Sequence, residues 1–128
     1  MKFLHTMVRV SDIEKSLKFY QEVLDMKLDR TKELHGKGAT LYFLKDVTGC
    51  CEIELTHNHV LPEGGYELGN QFGHFAFEVE DMEVFSTKIK NAGFDFDRPP
   101  YRLTEVGSLI AFIKDPDGMM VELIEKKS

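Results

Sequence analysis

The sequence contains no tryptophan, only four prolines and just two cysteines, which are neighbours. Adjacent cysteines are poorly placed to bridge one another. Cys50 and Cys51 therefore read as free thiols, one buried and one exposed, of the kind kept reduced in a cytoplasm. A small, disulfide-stapled secreted fold is excluded. No apolar run approaches the ~20 residues of a membrane span, and the opening "MKFLHT" lacks the apolar stretch of a secretion signal. No basic run or stripe interrupts a net charge of −6, which argues against nucleic acid or an anionic membrane as the main partner. A basic pocket for one small anion stays open. "HGKG" (35–38) and Gly64-Gly65 have the chemistry of turns and lack the spacing of a phosphate-binding loop.

What is present fits a single domain with an ordinary core: 128 residues, 42% hydrophobic, with ten phenylalanines. "LHTMVRVSD" (4–12) reads as a strand entering a helix. Leu4, Thr6, Val8 and Val10 alternate and should pack, which puts Phe3, His5, Met7 and Arg9 on the opposite side. An imidazole and a guanidinium sharing one strand face call for a reason.

Internal repetition supplies it. "HTMVRVSD" (5–12) aligns with "HFAFEVED" (74–81), and "EIELTH" (52–57) aligns with "MVELIE" (120–125). His5 and His74 lie 69 positions apart, Glu54 and Glu122 68 apart. After each His strand comes an amphipathic helix. The first opens at Ser11, with Glu14 completing a capping box, and buries Ile13, Leu17, Tyr20 and Leu24. The second starts near Asp81, buries Met82, Phe85, Ile89 and Ala92, and stops at Gly93. Later strands are expected near 27–34, 39–45 and 51–57 in one half, and near 94–97, 108–114 and 119–125 in the other. "DPDG" (115–118) has the residues of a type I turn. The chain thus reads as one α+β domain of two βαβββ modules, about 1–57 and 73–126, joined by loop 58–72.

Duplicated strand-rich halves tend to face one another across a pseudo-twofold axis, which would bring His5, Glu54, His74 and Glu122 together. Two imidazoles and two carboxylates suit a divalent first-row cation and leave positions open for water or substrate. A single strand histidine is more often a hydrogen-bonded or surface residue. The pairing of both residue types at equivalent places in both halves makes a metal site the better reading.

"LHTMVRV", "SLKFYQEVLDMKL", "EIELTHN", "YELGNQFGHFAFEVED" and "IAFIKDPDGMMVELIE" together resemble the short bacterial glyoxalase I (lactoylglutathione lyase) family of the vicinal oxygen chelate superfamily, over nearly the whole chain. The resemblance implies the glyoxalase/bleomycin resistance/dioxygenase fold, an eight-stranded mixed sheet curved around a metal-binding cleft. It implies one divalent ion per site held by His5, Glu54, His74 and Glu122. Histidine as first ligand and the short chain match the nickel-activated class, with cobalt next and zinc last. The implied substrate is the hemithioacetal of methylglyoxal and a glutathione-like thiol, isomerised through an enediolate to a 2-hydroxyacyl thioester. Glu122 is then the main base, with Glu54 serving the opposite hand of substrate or assisting.

By the same resemblance Arg9 and Asn58 hold the glutamyl end of the thiol, the enzyme is a cytoplasmic homodimer, and the ligands come from one chain or two. His57 and His59 are expected to be solvated. Departures bear on the thiol: Asn70 stands where many members have arginine, and Arg98 and Arg102 are the nearest candidates for the glycine end. Glu78 shares the His74 face, free to pair with Arg9 or to repel an anion. An acyl-coenzyme A epimerase of the same superfamily is the alternative, but it would have glutamine at Glu54. A non-enzymatic antibiotic-binding protein would lack the four ligands.

Overall fold

The computed structural model describes residues 1–126. The chain forms two compact units, Met1–Glu67 and the segment from Leu68 onward. In the first, β1 (Thr6–Arg9), α1 (Ile13–Lys18), β2 (Lys27–Leu34), β3 (Ala39–Lys45) and β4 (Glu52–Asn58) follow in order. In the second, β5 (Phe75–Val79), α2 (Met82–Asn91), β6 (Arg98–Arg102), β7 (Leu109–Lys114) and β8 (Met120–Glu125) repeat that order. The eight strands divide into two four-stranded sheets, β1-β4-β3-β2 and β5-β8-β7-β6, each with one parallel pair. Each unit is thus a complete βαβββ module of an α+β fold.

The cores follow from strand alternation. On β4, Ile53 and Leu55 are buried, and on β8, Val121 and Leu123 are buried, while the glutamates between them point to the other face. In the second unit the Glu125 carboxylate accepts from the Met82 backbone N–H at 2.6 Å, tying the start of α2 to the apolar side of β8. Met82, Phe85 and Ile89 fill that side, and Ala92 is half-buried at the helix end. At Gly93 the backbone turns left-handed (φ +87°) and the Phe94 N–H reaches the Ile89 carbonyl, so the expected stop is a Schellman cap.

The first helix departs from expectation in two ways. Its cap is Asp12, whose carboxylate accepts from the Lys15 N–H at 3.1 Å, in place of Ser11. It then widens over Phe19–Val23 into a π turn, with the Leu24 N–H bonded to the Phe19 carbonyl. The extra residue rotates Phe19, Tyr20, Val23 and Leu24 inward and leaves Ile13 and Leu17 half-buried. Just after β1, Val10 is fully buried as its alternation requires, but Leu4 lies before the strand and stays 68% exposed.

One further correction concerns a strand. The strand expected at 94–97 forms instead at β6, through Pro99 and Pro100. Proline cannot donate to a ladder, and β6 tolerates it because it is an edge strand with a register shift between Arg98 and Tyr101. The turns before β4 and β8 share a frame. Asp46 N–H reaches the Cys51 carbonyl and Asp115 N–H the Met119 carbonyl, with left-handed Gly49 and Gly118 between. One turn is a residue longer, which is why the glutamate spacing is one less than the histidine spacing. Both cysteines sit in that longer turn and both are exposed.

Candidate metal centre

In the first unit β1 and β4 run parallel with Met7 opposite Glu54. His5, two residues before Met7 and on its face, brings Nε2 to 3.7 Å from Glu54 Oε1. In the second, β5 and β8 run parallel with Ala76 opposite Glu122, and His74 Nε2 lies 2.9 Å from Glu122 Oε2. Each pair is backed by a phenylalanine on the next strand. Phe43 is opposite Glu54 with its ring 5.6 Å from that of His5, and Phe112 is opposite Glu122 with its ring 5.5 Å from that of His74. Both contacts are edge-on at 77°. These phenylalanines escaped the sequence reading, although "YFLK" and "AFIK" place them 69 apart, as the histidines are.

The surroundings of the two carboxylates differ. Thr56, the next residue on the Glu54 face of β4, donates its hydroxyl to Glu54 Oε2 at 2.9 Å. Nearby, the Arg30 guanidinium bonds both oxygens of Glu52, at 2.8 and 3.0 Å, and Asp29 at 2.9 Å, while stacking 4.0 Å from the Phe43 ring centre. Those bonds, to Glu52 first, hold Arg30 above its ordinary pKa. The same Arg30 bonds hold the Glu52 carboxyl below the usual carboxylate range, against the opposing effect of its burial.

Imidazole nitrogen beside carboxylate oxygen is donor chemistry suited to first-row divalent cations. Two atoms bound side by side to one cation through bonds of ~2.1 Å stand about 3 Å apart, a spacing that the His74–Glu122 pair meets. The His5–Glu54 pair, at 3.7 Å, stands wider than that. Among the described residues no group of three or more His, Cys, Asp or Glu is gathered for a metal, so each unit brings two donors.

The remaining candidates are placed as follows. Arg9 is exposed on β1 opposite Thr56, with no ion-pair partner among the described residues. Asn58 ends β4 and donates through Nδ2 to the Tyr66 hydroxyl at 2.9 Å, a partner the sequence reading missed. His59 is tied to Thr40 Oγ1 at 2.9 Å, and that hydroxyl donates to Glu33. It is exposed, as expected, and is hydrogen-bonded as well. Glu78, open by sequence to pairing with Arg9 or repelling an anion, pairs instead with Lys126 at 2.7 Å and raises the Lys126 pKa through that hydrogen bond. Arg98 stacks 4.1 Å over Tyr101, and Arg102 donates to the Gly107 carbonyl.

Residues 2–123 match the sequence profile described as the Glyoxalase/Bleomycin resistance protein/Dioxygenase superfamily. The chain is 43% identical over 130 residues to a lactoylglutathione lyase of Neisseria meningitidis, covering 100% of this chain and 93% of that one. Its fold is similar to that of glyoxalase I from Zea mays, at a TM-score of 0.85 and 34% identity over 98% of this chain, which spans 44% of the maize chain. It is also similar to the trypanothione-dependent glyoxalase I of Leishmania major, at a TM-score of 0.79 and 32% identity, covering 98% of this chain and 86% of that one.

Proposed function

This chain belongs to the Glyoxalase/Bleomycin resistance protein/Dioxygenase superfamily, and we propose that it is a lactoylglutathione lyase (glyoxalase I) that detoxifies methylglyoxal. The observation that carries the reading is the same His–Glu pair, in the same strand register, in both repeats. His5 and Glu54 with His74 and Glu122 would hold one divalent ion, the two pairs supplied by one chain or by two copies in a homodimer. Nickel is the first candidate, then cobalt, then zinc. When bound, the ion supplies Lewis acidity to the two neighbouring substrate oxygens.

The residues of the chain do the rest. Glu122 takes the proton from C1 of the hemithioacetal and returns it to C2, while the hydroxyl proton passes from the C1 oxygen to the C2 oxygen, so that the first becomes the thioester carbonyl and the second the hydroxyl of the product. Glu54 keeps its carboxylate toward His5. Arg9 offers a two-pronged donor to a carboxylate of the thiol, with Asn58, steadied by Tyr66, beside it. Two exposed free thiols are in keeping with a cytoplasmic setting.

The test is to strip metal, restore nickel or zinc separately, and follow thioester formation from methylglyoxal with glutathione and with other cellular thiols. Turnover with one thiol and a preference for nickel is expected. Tight metal binding with no turnover on any thiol would overturn this reading in favour of the acyl-coenzyme A epimerase.

A further inference from the structure

The two repeats present equivalent glutamates in unequal settings. Thr56 lies opposite Leu41 and holds Glu54 Oε2 at 2.9 Å, which leaves Oε1 turned toward His5. The equivalent place in the other unit, opposite Ile110, is Ile124. Among the described residues no hydroxyl or amide donates to Glu122, and Met120, Ile124, Phe112 and Ala76 surround it on its sheet face. A second restraint falls on the same side as Thr56. Glu52, opposite Lys45, receives both prongs of Arg30, and Arg30 presses on the Phe43 ring that abuts His5. Opposite Lys114 the other repeat has Met120, and Arg98 turns over Tyr101 instead.

We infer that Thr56 is a positioning residue that fixes Glu54 as a ligand, and that Ile124, by offering no donor, leaves Glu122 held only through the oxygen that meets His74, so that its carboxylate can swing and carry the proton. The inference rests on the proposed function and divides its labour between the two halves. A carboxylate with one oxygen already hydrogen-bonded meets a cation preorganised, whereas a base that is also a ligand must let go to act. A hydroxyl placed beside Glu122 would tie it down in the same way.

The experiment uses the full chain with Thr56→Val, Thr56→Ser and Ile124→Thr, with Ile124→Ser as the smaller second choice at that site. Nickel affinity is read by chelator competition, ligand geometry by the visible spectrum of the cobalt-loaded protein, and turnover as separate kcat and KM. Thr56→Val is expected to weaken nickel binding about tenfold and alter the cobalt spectrum, and Thr56→Ser to restore both. Ile124→Thr and Ile124→Ser are expected to lower kcat by about tenfold with KM held and nickel bound at least as tightly as by the parent. Wild-type nickel affinity in Thr56→Val, no rescue by serine, or undiminished kcat in both Ile124 variants would overturn the inference. A wild-type protein that binds nickel but turns over no thiol adduct would end the proposed function instead, and the nickel measurements would still decide the role of Thr56.

Discussion

A carboxylate asked both to hold a cation and to move a proton has demands that conflict, and residue-level substitution separates them. Glu122→Gln keeps an oxygen donor of the same shape at the place where Glu122 meets His74 but cannot accept a proton. It should lower kcat by a factor of about 10² to 10⁴, measured as thioester formation by the metal-loaded enzyme. A loss of less than about tenfold would move the base elsewhere. His5 and His74 were legible because alternation alone puts them on their glutamates' faces, and duplication made chance an inadequate explanation. Tyr66 and Thr56 were not. Their roles depend on which hydroxyl meets which amide or carboxylate, and no periodicity encodes that.

At the level of elements, the turn before β4 and the end of α2 each rest on one local device. The Asp46 carboxylate is drawn two ways: partial burial pushes its pKa up, but bonds from the Thr48 hydroxyl and the Cys51, Cys50 and Gly49 backbone outweigh it and hold it below the usual range. A carboxyl with a lowered folded pKa adds stability that is fully present above its unfolded value near ~3.9 and is lost as pH falls through the folded value. Asp46→Ala should therefore cost about 1 kcal/mol near neutral pH, and denaturant unfolding of the variant and the parent should converge on acidification. A constant difference across pH would contradict this. Gly93→Ala should cost about 1 kcal/mol through its left-handed backbone, because a Cβ there meets nothing within 4 Å. Urea midpoints with an unchanged slope would measure it.

Hydrophobic spacing gave most strand positions, and Gly93 gave the second helix end. The π turn and the proline-bearing β6 were hidden for a shared reason. Each is tolerated by tertiary placement, one against a core that receives Phe19 and Tyr20, the other at a sheet edge with a spare bulge. Local propensity argues against both.

Across the whole molecule, duplication is the feature on which the proposed chemistry rests. A single module offers one imidazole and one carboxylate, too few to hold an ion selectively while leaving room for substrate, and two modules offer four donors. Metal should accordingly stabilise the protein as a whole, raising its thermal midpoint in proportion to the logarithm of free nickel above the dissociation constant. Equilibrium dialysis against nickel of the parent, His5→Ala and His74→Ala tests the account most directly. If both pairs serve one ion, either substitution alone removes essentially all tight binding. Were each variant to retain half of the parent's bound nickel, the two pairs would be independent sites and the shared centre would be contradicted.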